Sequence, residues 1–441
     1  MLTKIRLQNF KAHRSSELEA RRLTLLIGPN NSGKSSMGQA VLLLRQAAAG
    51  GKNGLSIAVQ RKPTTLADPY LYTDNVLIDL GDFGHIVRRG EHEIVISLEG
   101  QLDSPPSSGL SAPLRVAFEV RFTEDGLAFH RGGLQFESPL TQQRELRWQW
   151  AGGGPARLPL GLLSLSAGRI QLQAIENLQL LGGQTVMTDG TAPPQDLTQM
   201  QALGSKLVSA PLSLMKSVHP IFPLRGLEER GSPLTEGPAQ NLERMSVADR
   251  TVALLSMLAY NLELQEKVSD WLEDLIERRI KVPLLPGKRV TLLSVPPRQK
   301  GADSLFTNEG TGANQLPFLL VPIGITPPGE TILLTEPEAH LHPLLQSKLS
   351  SLLLDLSLNE RRQFIIETHS EHVLHRFLHA VASGELSTKD LAIYYFEKKN
   401  GEAECRMLEV NEKGQVPGGL PGFFDQSLHE VSDYLEALKK N

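Results

Sequence analysis

The stretch whose reading decides the fold is Arg22-Leu-Thr-Leu-Leu-Ile27 followed by Gly28-Pro-Asn-Asn-Ser-Gly33-Lys34-Ser35-Ser36. An apolar strand enters a loop bounded by glycines, and a helical pattern runs on from Met37 through Leu44. The spacing is that of a P-loop, G-x-x-x-x-G-K-[ST]. Gly28 and Gly33 permit a tight backbone whose N–H groups turn inward to phosphate oxygens, and the helix N-terminus adds its positive end. The candidate nucleotide contacts are Asn30, Asn31, Ser32, Gly33, Lys34, Ser35 and Ser36. Lys34 can reach the β- and γ-phosphates, and the Ser35 hydroxyl can ligate Mg²⁺. The bland alternative is a strand-to-helix connection that binds nothing. Strand and helix both stand where the motif needs them, so the sequence predicts a nucleotide-binding protein.

Working outward, the chain has 441 residues, long enough for roughly two to three domains. Its 45 basic and 49 acidic residues leave a net charge of −4, so nothing global marks a nucleic-acid coat or a membrane-surface protein. The one cysteine, Cys405, excludes an intrachain disulfide and any multi-cysteine metal site, and fits a reducing cytosol. The opening residues go straight into strand-like alternation without a signal-peptide pattern. The longest apolar run, residues 316–325, is broken by Pro317, Pro322 and Gly324 and is too short to span a bilayer. The expectation is a soluble, cytoplasmic protein that does not use a membrane.

Residues 2–10 alternate as a strand, and a second strand follows at 22–27. Between about 55 and 180, short alternating segments separated by Gly, Pro and Ser clusters predict antiparallel hairpins and meanders. From 196 to 280 the pattern turns helical, with apolar stripes at 247–262 and 268–280 whose plain reading is core packing. No sustained heptad repeat is present, so no long coiled coil is expected. Residues 289–295 read as a strand leading to 307–315 and another helix. After 331, strict α/β alternation returns, and residues 431–440 close the chain as a polar helix. The predicted architecture is α/β: a P-loop lobe split between the two ends of the chain, an antiparallel β subdomain and a helical insertion. The expected boundaries are 1–54, 55–195, 196–288 and 289–441.

Three further stretches carry chemistry. Thr331-Ile-Leu-Leu-Thr-Glu336-Pro-Glu338 is a buried strand delivering two carboxylates to its C-terminal end, where ligands sit in open α/β sheets. Phosphoryl transfer needs an acid near Mg²⁺ and a base or water-positioner, which Glu336 and Glu338 can supply. A helix N-terminus that simply favours acids is the plainer reading, and the P-loop outweighs it. His369, in Glu367-Thr-His-Ser, ends the next apolar strand and reads as a γ-phosphate sensor rather than a structural histidine. The pair His340/His342 and the set His372/His375/His379 have ligand-like spacing, but without cysteine partners a metal site there is the weaker reading. Asn308-Glu-Gly310-Thr-Gly312, opening a helix, is a weak second anion-site signal.

Together these residues resemble an ABC-type ATPase of the SMC/OLD-like class. More closely, they resemble the compact bacterial AAA family ATPases that carry a C-terminal domain of unknown function, relatives of the ATPase subunits of anti-phage systems such as Septu. The resemblance rests on Asn9-Phe10-Lys11, the P-loop, Asp79-Leu-Gly-Asp-Phe-Gly84, Phe222-Pro-Leu-Arg225, residues 308–315, Glu336-Pro-Glu-Ala-His-Leu-His-Pro343, Glu367-Thr-His-Ser-Glu-His372 and Gly422-Phe-Phe-Asp-Gln426. It implies an ABC-type ATPase head in which two copies sandwich two ATP molecules with Mg²⁺. Asn308 and Gly310 of one copy would face the γ-phosphate on the other. Glu336 falls in the catalytic slot and on the metal side with Ser35, His369 corresponds to the switch histidine, His342 to the D-loop position, and the stretch around 79–83 to the Q-loop.

The chain departs from that pattern at Thr335, where the class has a metal-supporting acid, and at Asn308, where it has a serine. Weak Mg²⁺-ATPase activity is therefore expected. The resemblance implies an ATP-driven homodimer that regulates a separate effector, a nuclease, in defence against phage. Two other functions compete. A self-contained OLD-type nuclease needs acidic residues on further strands, and after His369 there is no Asp-x-Asp. An SMC-type DNA-binding or repair ATPase without arms is the alternative, with Arg244, Arg250, Arg278, Arg279, Lys281, Lys288 and Arg289 as its candidate DNA surface.

Overall fold

The computed structural model describes residues 1–49, 80, 83–103, 110–124, 126–139, 145–150, 162–166, 169–173, 178–180, 186–187, 203, 206–207, 209–222, 232–233, 247–287, 289–297 and 301–419. Two sheets organise them. The first is seven-stranded and antiparallel, in the order Leu178–Leu180, Glu145–Trp150, Gly126–Gln135, Leu114–Thr123, Ile94–Leu102, Leu2–Phe10, His13–Glu19. The second has six strands, Val218–Ile221, Thr331–Thr335, Gln363–Glu367, Leu23–Ile27, Leu391–Lys399 and Glu402–Leu408. The first five run parallel, and the last turns back antiparallel. The chain is α/β, as its alternation predicts. Its longest described helix, Pro343–Asn359, has 17 residues, so the described residues contain no long coiled coil. None of their helices is long and apolar enough to cross a membrane.

The parallel sheet divides the interior in two, and the period-2 alternation of strands sorts the side chains. Leu26, Leu333, Ile365, Tyr394 and Phe396 face a core shared with the P-loop helix Lys34–Ala49 and the antiparallel sheet. Leu25, Ile27, Ile332, Leu334, Phe364, Ile366 and Ile393 face a second core under Leu262–Ile276, Thr311–Ile325, Pro343–Asn359 and Glu371–Ala382. A buried polar clasp joins the sheets. The Gln363 side chain accepts from Leu2 N (2.8 Å) and donates to Leu2 O (2.7 Å) and Arg21 O (3.0 Å). Thr331 Oγ1 donates to the same side-chain oxygen (2.6 Å), so these buried polar groups are paired as burial requires.

Several elements differ from the sequence expectation, each for a physical reason. Leu2–Phe10, expected as a strand, pairs with Ile94–Leu102 in the antiparallel sheet, and a strand not expected from the sequence, His13–Glu19, lies at its edge. The helical stripe expected over 268–280 stops at Ile276. Glu277 adopts a left-handed φ of 57°, and Arg279–Lys281 continues as a strand. The preceding stripe, expected to run to 262, ends at Tyr260, because Asn261 caps the next helix by accepting from Leu264 N (3.0 Å). The strand expected at 289–295 is two short ones, Arg289–Val290 and Leu293–Val295. The closing helix at 431–440 and the Gly422–Gln426 segment lie outside the described residues, as do most of 55–79 and 151–161.

Thr311–Ile325 stays helical through Pro317 and Pro322 and is buried from Gln315 to Val321 and again at Ile323. Its C-terminal carbonyls are held by a buried guanidinium. Arg362 donates to Ile323 O (2.5 Å), to Thr326 O and to Gly324 O (3.5 Å), and pairs with Glu360 (2.9 Å). A cation at a helix C-terminus also opposes the negative end of the dipole.

Candidate functional site

The P-loop takes its shape from what lies beneath it. Gly28 has φ +139°, and a Cβ there would sit 2.2 Å from Phe396 O. Gly33 has φ +104°, and a Cβ would meet the Ala403 Cβ at 2.8 Å and His13 Nε2 at 3.0 Å. Both glycines are therefore required by conformation and by space. His13 is a floor for the loop: Nε2 lies 3.0 Å from Gly33 O and Nδ1 2.8 Å from Ser16 Oγ. A carbonyl only accepts, so Nε2 carries the proton and the Ser16 hydroxyl donates to Nδ1. Burial lowers the His13 pKa, against the opposing effect of the Gly33 bond.

Lys34 is 3 % exposed and donates to Gly28 O (2.9 Å) and Pro29 O (2.7 Å). Desolvation lowers its pKa, while Glu367 and Glu336 pull the other way. Asn30, Asn31 and Ser35 are exposed, and Gly33 and Ser36 half-buried. Ser32 is buried, with a hydroxyl that has no hydrogen-bond partner among the described residues.

The strand order places the switch strand Gln363–Glu367 between the P-loop strand and the acidic strand Thr331–Thr335. All three end at the same edge, so Lys34, Glu336 and His369 come together from parts of the chain far apart in sequence. Glu336 follows the acidic strand at a left-handed φ of 45°, its amide bonded to Glu367 O at 2.8 Å. A non-glycine residue there stores strain of the kind found at functional sites. His369 Nε2 lies 3.8 Å from Glu336 Oε1. Desolvation and the Lys34 charge lower the His369 pKa, opposed by Glu336.

Glu338, expected among the catalytic residues, points into the protein. It is buried, and its Oε1 accepts from Thr368 Oγ1 (2.6 Å) and His369 N (2.9 Å). Burial raises its pKa, against those bonds. That geometry ties the acidic loop to the loop that carries His369. Ser35 also has an unforeseen partner, since its hydroxyl donates to Glu367 Oε1 at 2.5 Å. Glu367 and His13 are the two site residues that the sequence reading missed. Glu367 stood inside the quoted switch motif without a role, and His13 has no local signal at all.

The remaining candidates sit elsewhere. Asn308 and Gly310 are exposed at the start of Thr311–Ile325, and no hydrogen bond among the described residues joins 308–312 to the P-loop. That helix start is seated on the acidic loop: a Cβ at Gly312 would meet His340 O at 2.5 Å, and Gln315 donates to Ala339 O. His342 caps Pro343–Asn359, accepting from Leu344 N at 3.3 Å. His372, His375 and His379 are exposed on one helix, and among the described residues no three His, Cys, Asp or Glu side chains form a metal-holding group. In the candidate DNA surface, Arg279 is bound to Glu266 (2.6 Å), Asp270 (2.8 Å) and Glu273 (2.7 Å), and Arg250 stacks over Phe222. Arg244 and Lys288, Leu224 and Arg225, and most of the Q-loop stretch 79–83 lie outside the described residues.

A family described as an AAA ATPase domain matches residues 1–101 and 248–374, more than half of the chain. A second, described as a protein of unknown function (DUF3696), matches residues 386–433. No curated protein matches the chain. Among solved structures it is similar to an SMC head bound to the C-winged helix domain of ScpA, with 12 % identity, 93 % of this chain and 98 % of that one covered, and a TM-score of 0.48. It is similar to the SMC head domain from Thermotoga maritima, with 14 % identity, 93 % and 99 % covered, and a TM-score of 0.43. A third is the Smc head domain with an extended coiled coil bound to the C-terminal domain of ScpA from Pyrococcus furiosus, with 12 % identity, 99 % of both chains covered, and a TM-score of 0.44.

Proposed function

The chain belongs to the AAA ATPase domain family, and on that premise we propose that it binds Mg²⁺·ATP at the P-loop and hydrolyses it slowly. The observation that carries the reading is the convergence, at one edge of the parallel sheet, of Lys34 and Ser35 with Glu336 and His369. The donor set fits the nucleotide. Lys34 holds its ammonium on two loop carbonyls in a glycine cradle that a Cβ would fill, and the Ser32 hydroxyl is buried without a hydrogen-bond partner among the described residues. Ser35 would help hold Mg²⁺, which when bound would supply neutralising charge for the phosphates. Glu336 would take a proton from, or orient, an attacking water, and His369, 3.8 Å from it, would sense the γ-phosphate; their proximity supports both roles. Asn308 in the signature position supports slow turnover.

We propose further that two copies close around the nucleotide. Supporting this, Asn308 and Gly310 are exposed and unconnected to the P-loop of their own chain, which leaves them for another copy's site. The resemblance to anti-phage ATPases supports a role as a cytoplasmic switch for a separate nuclease effector. The DNA-binding alternative gains little from Arg279, whose charge is met by three carboxylates. The test is steady-state ATPase activity of the full chain beside Lys34→Ala and Glu336→Gln. Each is expected to lose about 100-fold or more. Wild-type turnover equal to that of both variants would remove the hydrolytic role. Mass measurement of Glu336→Gln with and without ATP tests the dimer, which fails if the mass is unchanged.

A further inference from the structure

We propose that Glu367 supplies the metal-supporting carboxylate that Thr335 lacks, so that the acid has moved one strand toward the P-loop. The inference rests on the ATP reading above and concerns where its metal is held. In the parallel ladders Thr335 pairs with Glu367, Glu367 with Leu26, and Leu26 with Tyr394. Residues in one such row project to the same face of a sheet. Leu26 and Tyr394 belong to the core shared with the P-loop helix, so Thr335 and Glu367 are on the face that this helix covers. An acid at 335 would have to reach past the switch strand, one strand spacing of about 4.8 Å, before meeting Ser35. Glu367 starts from the strand adjacent to the P-loop, and its carboxylate already touches the Ser35 hydroxyl at 2.5 Å.

The surroundings suit a cation. Glu367 is 6 % exposed, yet among the described residues it has no ion pair with Lys, Arg or His. Lys34, the nearby cation, places two of its three donors on the Gly28 and Pro29 carbonyls. Burying a carboxylate is costly; the Lys34 charge offsets part of that cost at Glu367, and a divalent ion at Ser35 would offset more. The backbone also fixes its place. Glu367 O accepts Glu336 N (2.8 Å), and the next amide, Thr368 N, donates to Leu26 O (3.1 Å). The metal side of the site is thereby complete within one chain, and Asn308 is left as the departure that bears on turnover.

The experiment measures binding of a fluorescent ATP analogue to the full chain in EDTA and in Mg²⁺, and Mn²⁺ affinity of the ATP complex by electron paramagnetic resonance. Wild type should bind Mn²⁺ about 10–100-fold more tightly than Glu367→Gln, while their affinities for nucleotide in EDTA agree within about twofold. Adding Thr335→Asp to Glu367→Gln should recover part of the loss. Unchanged Mn²⁺ affinity in Glu367→Gln overturns the assignment. If that variant binds no nucleotide even in EDTA, Glu367→Asp replaces it. One methylene shorter, it must weaken Mn²⁺ binding, and equality with wild type overturns the assignment. Wild type that binds no ATP under any condition overturns the ATP reading itself.

Discussion

One carboxylate oxygen of Glu338 accepts both the Thr368 hydroxyl (2.6 Å) and the His369 amide (2.9 Å), so the acidic loop and the switch loop are tied at a single atom. Glu338→Ala removes that tie and leaves the buried Thr368 hydroxyl and the part-buried His369 amide without this acceptor. It should lower kcat about 10–100-fold with little change in nucleotide affinity, and lower unfolding free energy by about 1–3 kcal/mol. Glu338→Gln keeps an accepting oxygen and should retain most of both. Steady-state kinetics beside urea unfolding separates the effects.

His13 makes stability depend on pH. Its folded pKa is lowered by burial, so below the unfolded value of about 6.5 the unfolded chain binds the extra proton first. The His13 contribution is fully present above that value and is lost as pH falls toward the folded pKa. His369 shifts in the same direction. Glu338 and Glu367 are shifted upward, chiefly by burial, so their contribution is fully present below the unfolded value of about 4.5 and is lost as pH rises through their folded pKa values. The His13 share is isolated by comparison with His13→Gln, whose urea midpoint should fall less steeply below pH 6.5 than that of wild type.

Arg362 is the brace of the helix that carries two prolines. Arg362→Met leaves the carbonyls of Ile323 and Thr326 buried and Glu360 with only Lys267. The cost should be about 3–5 kcal/mol, visible as a lower urea midpoint. An unchanged midpoint would mean that these carbonyls find other donors.

Cys405 should be inert in the folded protein. Burial pushes its thiol pKa up to about 12, so almost no thiolate exists at neutral or mildly alkaline pH. Disulfide-exchange reagents at pH 8 should label the native chain far more slowly than the same chain in denaturant. Equal rates would contradict the burial.

The legible parts of this protein are those written in consecutive residues. The P-loop, the acidic loop and the switch histidine each consist of a strand, a turn and a helix start, and each appears where the sequence puts it. His13–Glu19 escaped because its buried positions are His13, Ser16 and Leu18, which give almost no apolar alternation. Glu402–Leu408 escaped although Asn400-Gly401, both with positive φ, is a strong hairpin signal. The contact between Ser35 and Glu367 depends on which strands are neighbours, and strand order is a property of the whole sheet. Glu338 was recognised as chemical, but its inward direction follows from burial that only tertiary packing supplies.

Ser35 and Glu367 are 332 residues apart in the chain, and that separation has a consequence during synthesis. At ~5–20 residues per second, roughly 17–66 s pass between emergence of the phosphate loop and of its acidic partners. A nascent chain therefore carries the loop for most of its translation without the groups that would let it turn over ATP. On the ATP reading proposed above, the site is assembled only when Glu367 takes its place beside Ser35.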